Sequence, residues 1–279
     1  MSFTVFAVVL FAAALHASWN AIVKGAGDKL LTTVLISGCA GAAGALALPF
    51  LPLPAPASWP FLAISILLQL GYHVLLANAY RTGDLSRVYP LMRGTAPLIV
   101  TAVAVLLLGE TLTLPGWAGI ALVSFGILSI ALAGGRGTAG TTGTGFALAN
   151  AIVIAGYTLV DGAGVRTSGS AVAYTMWLFV LTGLPLVAWA LVARRADFVS
   201  LVRSQLHLGV IGGLGTLISY GLVLWAMSIA PIPLVAALRE TSILFGIAIA
   251  GLILRERVGP IRLAAVGLVA AGAIVLRLP

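Results

Sequence analysis

Apolar runs of about twenty residues, separated by short polar or proline-bearing connectors, recur along the whole chain. A bilayer core is ~30 Å thick and needs ~20 apolar residues at ~1.5 Å rise each. Runs of that length fall at about 3–23, 31–51, 59–80, 86–108, 116–133, 144–165, 171–192, 206–229, 232–254 and 260–277, which predicts ten spans. Prolines punctuate the starts: Pro52, Pro54 and Pro56 before span three, Pro115 before span five, Pro231 and Pro233 at span nine and Pro260 at span ten. At a helix start the missing N–H would be unpaired anyway. A membrane barrel would instead alternate polarity over segments of ~10 residues, and these runs are apolar on all sides. The expected fold class is therefore all-α and polytopic. Residues 1–23 open with Met1-Ser2-Phe3 and lack the basic leader of a cleavable signal peptide, so they are expected to form the first span.

Composition agrees with a bilayer as the main solvent. Hydrophobic residues make up 61% of the 279 and charged ones 8%, against about 25% charged in a water-soluble domain. The net charge of +8 comes from fifteen Lys and Arg lying between the apolar runs. That distribution points to membrane orientation and not to a phosphate-binding patch, so no nucleic-acid partner is expected. Lys24, Lys29, Arg81, Arg87, Arg136, Arg194, Arg195, Arg203, Arg255, Arg257 and Arg262 fall on one side of the ten-span layout, and only Arg166 and Arg277 on the other. The positive-inside rule then puts both termini outside, in the periplasm if the membrane is a bacterial inner membrane. The lone Cys39 allows no intrachain disulfide and reads as a packing residue.

The second half repeats the first. At an offset of 146 residues, Arg93-Gly94-Thr95 overlies Arg239-Glu240-Thr241, Leu108 and Glu110 overlie Leu254 and Glu256, and Gly119 with Gly126 overlie Ala265 with Gly272. At an offset of 138, Trp19 overlies Tyr157. Five spans is an odd number, so the two halves must run in opposite senses through the membrane. The expected organisation is a first five-helix repeat over 1–134, a Gly/Thr-rich linker over 135–145 and an inverted five-helix repeat over 146–279. Inverted repeats are characteristic of secondary transporters, with the substrate site near the midplane between halves. The small residues of spans five and ten read as a helix packing surface.

Two five-span halves, His16-Ala17-Ser18-Trp19-Asn20 followed by Lys24, Leu108-Gly109-Glu110 closing span four, and its echo Leu254-Arg255-Glu256 closing span nine resemble the drug/metabolite transporter superfamily. More narrowly, the chain resembles its bacterial EamA-type group. The resemblance implies a ten-helix exporter of amino acids or other small metabolites, aromatic amino acid exporters among its relatives.

Candidate substrate contacts come from polar and aromatic side chains at helical spacing on otherwise apolar spans. His16, Trp19, Asn20 and Val23 share a face of span one. Gln69, Tyr72, His73, Leu76 and Tyr80 do so in span three, and Asn150, Ile154, Tyr157 and Asp161 in span six. Tyr89 lies one turn before Arg93, and Tyr220 with Trp225 adds to span eight. Arg93 and Arg239 each stand seven residues into a span, roughly 10 Å deep. A cation there needs a cavity or a partner, which suits a carboxylate or phosphate on a substrate. Glu240 is read as the one acidic residue clearly within a span, either a proton-coupling group or a partner for an arginine. Glu110 and Glu256 oppose their helix dipoles and are expected to pair with nearby basic groups or with the headgroup region. Trp59, Trp117 and Trp189, at span ends, read as interfacial anchors.

No enzyme is indicated. His16, His73 and His207 lack metal-ligand spacing, and Gly134-Gly135-Arg136-Gly137 lacks the Lys-Ser/Thr of an ATP-binding loop. No cofactor or metal is expected. The expected partners are a small-molecule substrate and the lipid bilayer, and the oligomeric state is left open, a monomer being sufficient. The leading expectation is alternating-access export of small amphipathic metabolites, amino acids first. A phosphorylated-metabolite or nucleotide-sugar antiporter, and a membrane scaffold or sensor without flux, are the alternatives.

Overall fold

A computed structural model describes residues 1–133, 141–249 and 259–278. Its long elements are all helices: α1 (Phe3–Gly25), α2 (Lys29–Ala47), α3 (Trp59–Thr82), α4 (Leu85–Leu107), α5 (Leu114–Ala133), α6 (Thr141–Thr167), α7 (Ala171–Ala193), α8 (Arg195–Ile229), α9 (Ile232–Arg239), α10 (Ser242–Ala248) and α11 (Pro260–Arg277). Among the described residues nine helices are long and apolar enough to cross a membrane, and α9 with α10 occupies residues 232–248 of the remaining expected span. The protein is a polytopic, all-α membrane protein.

Short polar side chains set where several helices begin. Ser2, Asp28, Asp84 and Ser170 accept hydrogen bonds from the backbone N–H of Val5, Leu31, Ser86 and Ala173 at 3.3, 3.0, 2.8 and 3.2 Å. Each satisfies a donor that the first helical turn leaves open. Two expected boundaries change. α8 starts at Arg195 and not near 206, because a polar segment continues the helix through a kink at Gln205 (φ −130°, ψ 21°). Span nine is not one continuous helix. It stops at Arg239 and resumes at Ser242, with Glu240 and Thr241 in a tightened turn whose N–H groups bond three residues back, to Ala237 and Leu238. Leu254-Arg255-Glu256 and the first part of the expected linker lie outside the described residues.

The packing has the exchange symmetry an inverted repeat requires. With α6 to α11 as the second half, α1 lies against α8 as α6 lies against α3. Likewise α2 packs on α7, α5 on α11, and α4 lies against α6 as α9 and α10 lie against α1. The small-residue surface expected in spans five and ten is where α5 meets α11. A Cβ on Gly119 would come within 3.0 Å of the Gly272 carbonyl oxygen, and one on Gly272 within 2.9 Å of that of Gly119. Only glycine allows backbones this close.

Candidate functional site

A cavity of about 300 Å3 occupies one half of the bundle. His16, Asn20 and Val23 reach it from the later turns of α1, and Tyr80 from the end of α3. Ser86, Tyr89 and Pro90 come from the start of α4, and Ser242, Ile243, Gly246 and Ile247 from α10. Exposed Lys29 and Arg262, at the starts of α2 and α11, stand at its mouth. All these helix ends lie on the cation-rich side, so the cavity opens there. Asn20 donates to its own helix through Nδ2–His16 O at 2.8 Å, which leaves its carbonyl oxygen for the cavity.

Beneath the cavity wall lies a tyrosine file. Tyr72, Tyr80, Tyr89 and Tyr220 pack on a buried cluster that contains Tyr157, Met92 and Ile154. Tyr72 meets Tyr157 edge-on at 6.1 Å, and Tyr157 meets Tyr220 at 6.4 Å. The Arg239 guanidinium lies 5.7 Å from the Tyr220 ring centroid, within cation–π range.

The two intramembrane arginines converge on one acid. Arg93 Nε is 2.7 Å from Glu240 Oε2, and Arg239 Nε is 3.9 Å from Glu240 Oε1. All three are buried, at 7, 3 and 4% exposure for Arg93, Glu240 and Arg239. The helix break explains how neighbours 239 and 240 both reach the same point. Arg93 Nη2 and Arg239 Nε have no hydrogen-bond acceptor among the described residues, the 3.9 Å approach being an ion pair but too long for a hydrogen bond. The cluster therefore carries two cations, one anion and spare N–H donors, a setting suited to one more negative group.

The other expected residues sit around this core. Trp19 does not line the cavity. It packs toward α8, where a Cβ on Gly215 would come within 3.4 Å of its own Cβ, and its buried indole N–H lacks an acceptor among the described residues. Its ring meets His16 edge-on at 5.2 Å. His73 is half-buried beside Tyr72, ring to ring at 5.2 Å, and is also off the cavity wall. Asn150 donates to Met92 Sδ at 3.1 Å.

The reading of Glu240 as the only acid well inside a span needs correction. Asp161 of α6 is completely buried and accepts from Tyr174 Oη at 3.0 Å, Tyr220 Oη at 2.7 Å and Gln69 Nε2 at 3.4 Å. Its place on the same face as Tyr157, one turn later, was the signal for it. The expected end of span six at 165 hid its depth, since α6 runs on to Thr167.

At the face opposite the cavity mouth the bundle is tied shut. Arg166, at the end of α6, donates to Glu110 Oε1 at 2.7 Å, to Met227 O at 2.9 Å and to Ala230 O at 2.8 Å. The pairing expected of Glu110 is thus with Arg166, across the two halves. The guanidinium thus joins the end of α6 to the α4–α5 connector and to the end of α8.

The EamA-like transporter family matches residues 141–278. A solved structure described only as the crystal structure of a protein is 19% identical, with a TM-score of 0.74 over 98% of this chain and 95% of that one. It shares the fold. No curated protein matches the sequence.

Proposed function

The chain belongs to the EamA-like transporter family, and on that premise we propose that it exports small amphipathic metabolites, amino acids first and aromatic ones among them, by alternating access. One observation carries the reading: a cavity open at the cation-rich face, walled by His16, Asn20, Tyr80 and Tyr89, while Arg166 and Glu110 tie the other face shut. That is one end state of an alternating-access cycle. Its volume of about 300 Å3 is at the low end of small-molecule sites, which run to roughly 1,000 Å3, and suits a solute of amino-acid size. In this reading the cation-rich face is cytoplasmic and both termini are periplasmic in a bacterial inner membrane. The halves 1–134 and 146–279 rock about the site. Trp19, Tyr72, His73, Tyr157 and Tyr220 shape the layer behind the wall, and Arg93 with Arg239, buried in that layer and not in the cavity lining, supplies the pull on a carboxylate.

The charge count separates this reading from a phosphorylated substrate. Two arginines and Glu240 leave one net positive charge, which one carboxylate neutralises and a phosphate dianion overfills. Reconstitution into liposomes with radiolabelled amino acids tests the proposal. Flux above empty vesicles is expected for at least one aromatic or branched amino acid, reduced in His16→Ala and Tyr89→Ala. No flux above empty vesicles for any amino acid removes the substrate class. Cavity variants that insert normally and leave a cellular phenotype intact would favour a scaffold without flux.

A further inference from the structure

Asp161 stands outside both the cavity lining and the Arg93–Glu240–Arg239 cluster, yet none of its surface is exposed. Burying a carboxylate is costly unless it is paired or hydrogen-bonded. Here the bonded partners are neutral. Oδ1 accepts from Tyr174, while Oδ2 accepts from Tyr220 and from Gln69, whose Nε2 also reaches Ser65 Oγ at 3.1 Å. No cation bonds to it among the described residues.

Every packed element confirms that count. From α3 come Ser65 and Gln69, neither titratable, and from α7 comes Tyr174. Tyr220 comes from α8, with Arg239 of α9 behind its ring and not on the carboxylate. Tyr157 lies one turn back on α6, and the buried cation of α4, Arg93, is engaged by Glu240. A carboxylate held by hydroxyls and an amide can exist in either protonation state without stranding a buried counter-ion. Glu240 cannot, because losing its charge would leave two buried guanidiniums unneutralised.

We infer that Asp161, and not Glu240, is the proton-binding site that couples substrate movement to a transmembrane pH difference. Tyr220 is the link. Its hydroxyl holds Asp161 at 2.7 Å, its ring faces Arg239 at 5.7 Å, and it adjoins Tyr157 at 6.4 Å. Protonating Asp161 turns an acceptor into a group that must donate through one oxygen. The Tyr220 hydroxyl then reorients, and the change reaches the arginine cluster through one side chain. The balance is simple: one proton binds the carboxylate from one face and leaves to the other per cycle, with no other reactant. This inference rests on the transporter reading, so its test separates the two.

Wild-type protein in liposomes is assayed twice with tritiated phenylalanine and leucine: for exchange at equal pH on both sides, and for accumulation driven by a pH difference, with internal pH followed by a trapped dye. Wild type is expected to show both, with proton movement. Asp161→Asn is expected to keep exchange and lose gradient-driven accumulation. Tyr174→Phe keeps the carboxylate and the buried ring, and is expected to displace the midpoint of the pH profile of accumulation. It serves as the deciding variant if Asp161→Asn is not recovered folded. Exchange without any effect of the gradient in wild type, accumulation that survives in Asp161→Asn, or an unmoved profile in Tyr174→Phe each overturns the coupling role. Absence of exchange of both amino acids in wild type overturns the amino-acid export reading on which this inference rests.

Discussion

Removing the Arg166 side chain is expected to open the closed face of the bundle. The guanidinium makes three bonds, at 2.7 Å to Glu110 Oε1, 2.9 Å to Met227 O and 2.8 Å to Ala230 O. Bonds involving a charged group contribute ~1.5–3 kcal/mol each when shielded. The Arg166 side chain is 35% exposed and that of Glu110 10%, so water competes for part of this. A discounted total of about 2–4 kcal/mol is reasonable. At ~1.4 kcal/mol per tenfold, Arg166→Ala shifts the ratio of closed to open by ~30-fold to nearly ~1,000-fold. The assay places a thiol in the cavity with Asn20→Cys in a Cys39→Ala background and follows labelling by a membrane-impermeant reagent from each face. Labelling from the face that carries the termini is expected to rise at least ~30-fold in Arg166→Ala, and labelling from the cation-rich face to fall. Arg277→Ala serves as the control, since its one bond on that face, to Met1 O at 3.3 Å, is exposed. Unchanged rates from both faces would refute the seal.

Glu240→Gln removes the one carboxylate that, among the described residues, neutralises Arg93 and Arg239 and should cost ~3–5 kcal/mol, read as a lower thermal unfolding midpoint in detergent. Adding Arg93→Met to it should restore part of the loss. Gly183→Ala would put a Cβ 2.7 Å from the Ser37 carbonyl oxygen where α7 meets α2, with an expected loss of ~1–3 kcal/mol, whereas Gly71→Ala, with nothing within 4 Å, should leave unfolding unchanged. Burial pushes the Asp28 carboxyl up, but the N–H of Leu31 and the Arg194 guanidinium outweigh it and hold the group below the ordinary aspartate value. A carboxylate depressed by folding stabilises fully above its unfolded pKa and loses that contribution as pH falls through its folded one. The unfolding midpoints of wild type and Asp28→Asn should thus differ at neutral pH and converge in acid; the gap is small because both partners are more than a third exposed.

The sequence disclosed what depends on the bilayer. Span number, the starts of spans two and seven near residues 31 and 171, the glycine surface of α5 and α11, and the equivalent depth of Arg93 and Arg239 all follow from local pattern or from the repeat. What escaped it depends on helix rotation and on a departure from helical backbone. Trp19 shares the sequence face of His16 and Asn20, but an i, i+3 residue lies at the edge of that stripe, and the close approach of α8 at Gly215 claims it. A continuous span nine would send Arg239 and Glu240 about 100° apart; the turn at 240–241 brings both to one point, and nothing in Arg239-Glu240-Thr241 announces a break. Asp161 was legible as a position on a stripe but not as a buried charge, because depth depends on where α6 ends.

The repeat overlays Arg93 on Arg239, but it overlays Gly94 on Glu240, and this mismatch shapes the core. Two symmetric cations with no acid would repel across the midplane in a medium that screens poorly. A matching acid at 94 would neutralise the site and leave no attraction for an anion. An acid at Gly94 would have to displace α5, since even a Cβ there would meet Leu128 Cγ at 2.8 Å and the Leu128 backbone nitrogen at 3.1 Å. One acid for two arginines thus holds the halves together while keeping spare donors on Arg93 and Arg239. The same asymmetry leaves Glu240 bound to its charge, so a titrating carboxylate has to sit elsewhere, within reach but away from the guanidiniums. Asp161, joined to the cluster only through Tyr220, meets that requirement.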